Sequence, residues 1–239
     1  LTLRLFKNYG GILQNYALSR FLQKNGYDVE TINIVWSYQL NGVKKYFVWL
    51  KRLVRNMLIG KWYSLDEEKI LRNNELVAAQ RVNAFKEKNI PLSQKVYSLP
   101  GADFSDISNK YDTIIVGSDQ VWRPKYTGGI EKYFLSFADN RIKKIAYSAS
   151  FGTDKNEYSF YEKWVCGKLI KRFDAISVRE ESAISLIREQ LHWDVDVIQT
   201  LDPTMLLDIT DYKSLVGQVV NNNKIFVYIL DSSVHKISF

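Results

Sequence analysis

The chain has 239 residues, 46% of them apolar, and a formal net charge of +7, enough for one large or two small globular domains with a sizeable core. Its single cysteine, Cys166, excludes an internal disulfide, and one thiol with two histidines, His192 and His235, does not make a zinc site of ordinary spacing, so no metal is expected. Neither a secretory leader nor an apolar run long enough to span a bilayer is apparent, and the expected location is the cytoplasm.

Leu1–Phe6 reads as the end of a strand, and Asn8 to Gly11 as a glycine-rich turn. Ile12, Leu13, Tyr16, Ala17, Phe21 and Leu22 then recur at helical spacing. Gly26 ends that helix, because glycine takes the left-handed position at a helix C-terminus without strain. Val29, Ile32, Ile34 and Val35 read as the next strand. This opening places Gly10 and Gly11 at a helix N-terminus, where free N–H groups favour an anion and absent Cβ atoms let a ligand approach. A tight packing turn is the equally simple reading, since a glycine pair is far less specific than a full dinucleotide fingerprint.

Between Thr31 and Leu65 stand six basic residues (Lys44, Lys45, Lys51, Arg52, Arg55 and Lys61) and no acidic one, interleaved with aromatics. The plain reading of 43–61 is a solvated basic helix that packs Phe47, Leu50, Leu53 and Val54 on its domain. Peripheral contact with an anionic membrane at its inner face is the second reading. No nucleic acid is expected, because nothing here resembles a stacking platform of barrel strands. Ser64 with Glu67 forms a capping-box pattern for a helix running to about Lys88, carrying Ile70, Val77, Ala78 and Phe85 and stopped by Asn89 and Pro91.

From there one pattern recurs four times: a short β-rich run, then small or polar residues, then a helix or loop. The runs are Thr113–Val116 before Gly117, Ser118 and Asp119; Ile145–Ser148 before a small-residue loop; Ala175–Val178 before Arg179 and a helix with Ala183, Ile184, Ile187 and Leu191; and Val195–Gln199 before Asp202 and Pro203. Apolar strands alternating with helices predict a Rossmann-like α/β fold, a parallel sheet with helices on both faces. Ligands of such sheets bind outside the carboxyl ends of the strands. Those ends carry the Gly10–Gly11 turn, Ser118–Asp119, Ser148–Ser150, Arg179 and Asp202, a rim suited to a small anionic ligand.

At these residues the chain resembles the polysaccharide pyruvyl transferases. Family members often open with N-Y-G-[GA]-x-L-Q-x-Y-A-L, matched by Asn8–Leu18, and carry G-S-D-Q-V-W, seen at Gly117–Trp122. An S-x-R-E turn at Ser177–Glu180 and a D-P-T box at Asp202–Thr204 follow in the family's order. The resemblance implies a two-domain, glycosyltransferase-B-like architecture. It also implies transfer of the pyruvyl group of phosphoenolpyruvate to a sugar of a cell-surface polysaccharide or its lipid-linked precursor, with a ketal formed and phosphate released. The expected partners are phosphoenolpyruvate, as donor substrate with no further cofactor, and a glycan or glycolipid acceptor. On that view 1–216 is the first domain, and 217–239 is the crossover through Asn221–Asn223 plus the first strand, Ile225–Leu230, of a second domain. The expectation is then a fragment that is inactive alone.

Arg179 is the candidate anion clamp, since a guanidinium grips phosphate and carboxylate bidentately; a local ion pair with Glu180 or Glu181 is the structural alternative. Asp119 is the candidate for sugar binding or proton transfer, against a helix-cap role. Asn8, Gly10, Gly11, Gln14, Gly117, Ser118, Ser148 and Asp202 complete the expected substrate site, although Asp202 before a proline equally reads as a cap. Cys166, in a helical run, reads as a core thiol. Two other functions fit the same pattern: a nucleotide-sugar glycosyltransferase of this architecture, and a non-catalytic glycan-binding module.

Overall fold

The first helix begins at Tyr9, one residue after Asn8, and not after the glycines. In the computed structural model, which describes residues 1–6, 8–36, 80, 82–99 and 101–216, α1 spans Tyr9–Lys24. The Asn8 side chain accepts from Gly11 N at 3.2 Å, satisfying one orphan donor of the first turn. Gly10 and Gly11 are therefore helical, and the expected glycine-rich turn is replaced by an asparagine cap. At the other end Gly26 N donates to Gln23 O and Tyr27 N to Leu22 O, with Gly26 at φ +86°, the paired bonds of a Schellman stop. Ile12, Tyr16 and Ala17 are buried, whereas Leu13 is exposed.

The basic stretch 43–61, the Ser64–Glu67 cap with most of its helix, and the segment holding Asn221–Asn223 and Ile225–Leu230 lie outside the described residues. Residues Leu1–Leu207 form one unit and Asp208–Phe239 another; in the latter, Ile209–Lys213 is a short helix.

Among the described residues of the first unit all strand pairs are parallel. β1 (Thr31–Trp36) pairs with β2 (Leu92–Leu99). β2 is reached through α2, residues 82–89, whose Phe85 packs edge-on to Tyr16. The run Leu92–Leu99 buries only Ser93, Tyr97 and Leu99, so its apolar content is too sparse to announce a strand. The second sheet runs β3 (Thr113–Val116), β4 (Lys143–Ala149), β5 (Ala175–Val178) and β6 (Ile198–Gln199) in that order. β6 is shorter than the expected Val195–Gln199 because, at the sheet edge, only Ile198 and Gln199 pair with β5. Leu1–Phe6 is not a strand; Leu1 alone lies against β3, with Gly117 N donating to Leu1 O at 3.1 Å. Helices α3 (Pro124–Thr127), α4 (Phe160–Ile170) and α5 (Glu181–Ser185) connect these strands. A π-helical turn, Leu186–Gln190, extends α5. The parallel sheets flanked by helices make a Rossmann-like α/β fold.

The core is aromatic at its centre. Trp122 is fully buried, stacks on Phe134 with ring centroids 5.0 Å apart and touches Phe151 and Phe173. Its indole N–H donates to Tyr133 O, and its carbonyl accepts from Tyr158 Oη. The Trp of the G-S-D-Q-V-W stretch is therefore a packing residue that anchors the loop after β3. Cys166 is fully buried on α4 and burial pushes its thiol up, as befits a core thiol.

Glu157 ties the loop before α4 to α3. Arg123 Nε and Nη2 donate to its two carboxylate oxygens at 2.9 and 3.1 Å, and Lys125 adds a bond of 2.7 Å. These bonds hold the Glu157 carboxyl at about 2, below its ordinary 4.5. Between those values the unfolded state takes up the proton and the folded state does not, so stability present above pH 4.5 is lost as pH falls toward 2. The melting-temperature advantage of wild type over Glu157→Gln, followed by circular dichroism, is expected to shrink across that window.

Candidate active site

Polar residues stand at or just beyond the carboxyl end of each strand of the second sheet, and neighbouring strands bring those residues into one row. After β3 come Gly117, Ser118 and Asp119; β4 ends near Ser148 and Ser150; β5 is followed by Arg179 and Glu180; β6 leads to Asp202. Main-chain bonds join the row: Ser150 N donates to Asp119 O and Arg179 N to Ala149 O, while Thr200 N donates to Val178 O.

The N-terminus of α1 closes one end of this row. Asn8 Nδ2 donates to Asp119 Oδ2 at 2.8 Å, while Asp119 Oδ1 accepts from Gln120 N. A Cβ on Gly11 would lie 2.8 Å from Asp119 Oδ2 and 3.0 Å from Asn8 Nδ2. What comes too close for a side chain at this helix start is thus the Asp119 carboxylate of the neighbouring loop. One turn further along α1, Gln14 is buried and donates to Asp202 Oδ2. Asp202 also caps the turn Pro203–Met205 by accepting from Thr204 N at 3.0 Å, so its expected capping role and its place on the rim coexist.

Arg179 lies at the middle of the row, its side chain 28% exposed. Its Nε is 3.4 Å from Glu180 Oε2 and its Nη1 3.7 Å from Asp202 Oδ2. Nη2 donates to Ser150 Oγ at 3.1 Å. Ser150 Oγ in turn donates to Glu180 Oε1 at 2.5 Å and accepts from Gly152 N. The guanidinium is therefore held on three sides, with both a local ion pair and an aim along the rim. Glu180 occupies the N-cap position of α5, but its carboxylate serves Ser150 and Arg179 instead of the helix end.

Sequence reading put Ser150 on the rim without a role and Glu180 beside Arg179 as an ion-pair partner, and it overlooked Tyr147. The only signal for Tyr147 was its position beside Ser148. Tyr147 Oη donates to Leu201 O; burial, with the neighbouring Asp202 charge, pushes its phenol up.

Two hydroxyls stand out. Ser118 and Ser148 are buried, and neither Oγ has a hydrogen-bond partner. A buried hydroxyl left so costs about 1–3 kcal/mol, so both are free to donate to a bound group. Gly117 has φ +133°, and a Cβ there would overlap the Tyr147 carbonyl oxygen on β4. All ten residues proposed from sequence thus lie at the carboxyl ends of β3–β6 or on the first two turns of α1 beside them. A cavity of about 540 Å³ between α1, β1 and β3 takes in Gly117 but none of Asn8, Asp119, Arg179 or Asp202, and it is not this site.

The rim offers three carboxyl side chains, Asp119, Glu180 and Asp202, to one guanidinium. Carboxylates and amide side chains in such a row suit hydroxyl-rich ligands, and Arg179 suits a single anionic group.

No curated protein and no solved structure gives a significant match to the chain. The family model described as polysaccharide pyruvyl transferase matches residues 8–237, nearly the whole sequence and every motif of the rim. The chain therefore belongs to the polysaccharide pyruvyl transferase family.

Proposed function

We propose that this rim takes part in transfer of the pyruvyl group of phosphoenolpyruvate to a sugar of a cell-surface glycan or its lipid-linked precursor. In that reaction two hydroxyl oxygens of one sugar bond to the former enol carbon and each loses its proton, one proton being gained at the donor's methylene carbon and the other leaving with the phosphate as its C–O bond breaks. Arg179 is read as the clamp on the donor's carboxylate or phosphate, released for that purpose from its pairing with Asp202. Asp119 is read as the group that binds a sugar hydroxyl or moves its proton. Asn8 and Gln14 orient the two aspartates, and the hydroxyls of Ser118 and Ser148 donate to the substrate.

The observation that carries this reading is the Arg179 guanidinium, partly exposed beside Ser150, Glu180 and Asp202 at the carboxyl ends of parallel strands. A donor with two anionic groups needs more positive charge than this row holds. The reading accordingly takes 1–216 as one domain of a glycosyltransferase-B-like pair, with 217–239 leading into the other. Its test is phosphate release from phosphoenolpyruvate, in the presence of a glycolipid acceptor, by the 239-residue chain and by the same chain completed with a second domain, activity being expected of the completed chain alone. Donor-dependent release of phosphate together with a ketal on the acceptor is expected. Release of a nucleoside diphosphate from a nucleotide sugar, without consumption of phosphoenolpyruvate, would replace this reading with glycosyl transfer.

A further inference from the structure

Helix α4 is apolar on both faces. Its inner face carries Cys166 and Ile170, both fully buried, while Phe160 is 89% exposed, Tyr161 61% and Trp164 54%. A contiguous exposed aromatic patch marks an interaction surface. The patch is continuous. Phe160 lies one turn before Trp164 on the same side, the Tyr161 and Trp164 rings are 6.5 Å apart, and Lys168 Nζ stands 3.8 Å from the Trp164 ring centroid.

The surroundings are basic. From Phe160 to Arg172 there are four basic residues and one acidic one, Glu162. The Glu162 carboxylate is taken up by Ser159 in a capping box, while Lys168 and Lys171 are exposed. Tryptophan and tyrosine with flanking lysines are the residues that settle at the boundary between headgroups and acyl chains. A two-fold contact with a second copy through this face would instead set one basic flank against another.

We propose that the outer face of α4 is a docking surface for an anionic lipid bilayer, with Phe160, Tyr161 and Trp164 seated at the headgroup boundary and Lys168 and Lys171 on lipid phosphates. Its place in the fold gives this surface a use. α4 follows β4, so its first turns lie at the end of the sheet where Asp119, Ser150 and Arg179 stand. Docking through Phe160 and Trp164 brings that rim to the membrane surface, where a glycan carried on a lipid is presented. The surface stands whether or not the transfer reading does.

The test is co-sedimentation of the 239-residue chain with vesicles of phosphatidylcholine, alone or mixed with phosphatidylglycerol, at low and high salt. Wild type is expected to bind the mixed vesicles and to release as salt rises. The Phe160→Gln/Trp164→Gln double variant is expected to bind about tenfold less or worse, with an unchanged melting curve because both side chains are exposed. Phe160→Tyr/Trp164→Tyr should keep binding, and Lys168→Gln/Lys171→Gln should lose the preference for phosphatidylglycerol. Failure of wild type to bind mixed vesicles overturns the proposal, as does binding that the aromatic double variant leaves intact. A wild-type dimer that the same variant converts to monomer overturns it in favour of a second copy on this face.

Discussion

Gly117→Ala is expected to lower the melting temperature by roughly 10 °C or more. Gly117 has φ +133°, a region that residues with a Cβ adopt only at a cost of about 1–3 kcal/mol. The added methyl would also overlap the Tyr147 carbonyl oxygen, a main-chain atom of β4 that cannot swing aside as a side chain could. Relief requires β3 and β4 to separate at their carboxyl ends, and overpacking of this kind costs about 1–3 kcal/mol more. In a domain of this size each kcal/mol moves the midpoint by about 2–4 °C. Gly101→Ala is the control, since a Cβ there meets nothing within 4 Å. Circular dichroism melts of the two variants make the comparison. A midpoint for Gly117→Ala within a degree of the control would mean that the close packing of Gly117 on β4 is not required.

In the two-domain enzyme of the proposed reading, Arg179→Ala is expected to reduce kcat/KM for phosphoenolpyruvate by roughly 30- to 150-fold, on the order of 2–3 kcal/mol for a lost charged hydrogen bond. Arg179→Lys keeps the charge but loses the fork, and is expected to fall between wild type and alanine. The stability effect is small but not nil. Arg179 neighbours Glu180 and Asp202 at 3.4 and 3.7 Å, so alanine leaves two carboxylates without their cation. Those pairs are partly exposed and solvent-screened, which limits the cost to about 1 kcal/mol or less. Kinetics on each variant alongside its melting curve separate the two roles. A loss of many degrees with normal donor kinetics in the folded fraction would make Arg179 a structural ion pair and remove it from the proposed clamp.

Much of this architecture could be read from local patterns. Thr113–Val116 and Ala175–Val178 are strands with the expected bounds, because short apolar runs flanked by polar residues leave a buried parallel strand as their simplest fit. The helical stripe from Ile12 and the stop at Gly26 were equally plain. Elements whose signal was not local were missed or misplaced. Leu92–Leu99 pairs with β1 through its backbone while burying few apolar side chains, so periodicity could not find it. The glycines at α1 read as a turn because glycine is a poor helix former, and only the Asn8 cap and the nearby Asp119 explain them inside the first turn.

By itself, then, the sequence determined the alternation of strands and helices, the placing of small and charged residues after the strands, and membership of the family through motifs in fixed order. The tertiary structure decided what those residues are to one another. Asn8 meets Asp119 across 111 positions of sequence and Gln14 meets Asp202 across 188, partnerships that no local pattern encodes because parallel pairing of distant strands creates them. The same long-range packing makes Trp122 a core residue, gives Glu180 to Ser150, and turns the aromatic side of Phe160 and Trp164 outward. Side-chain periodicity is a property of one element, whereas a site is a property of the several elements that backbone pairing brings side by side.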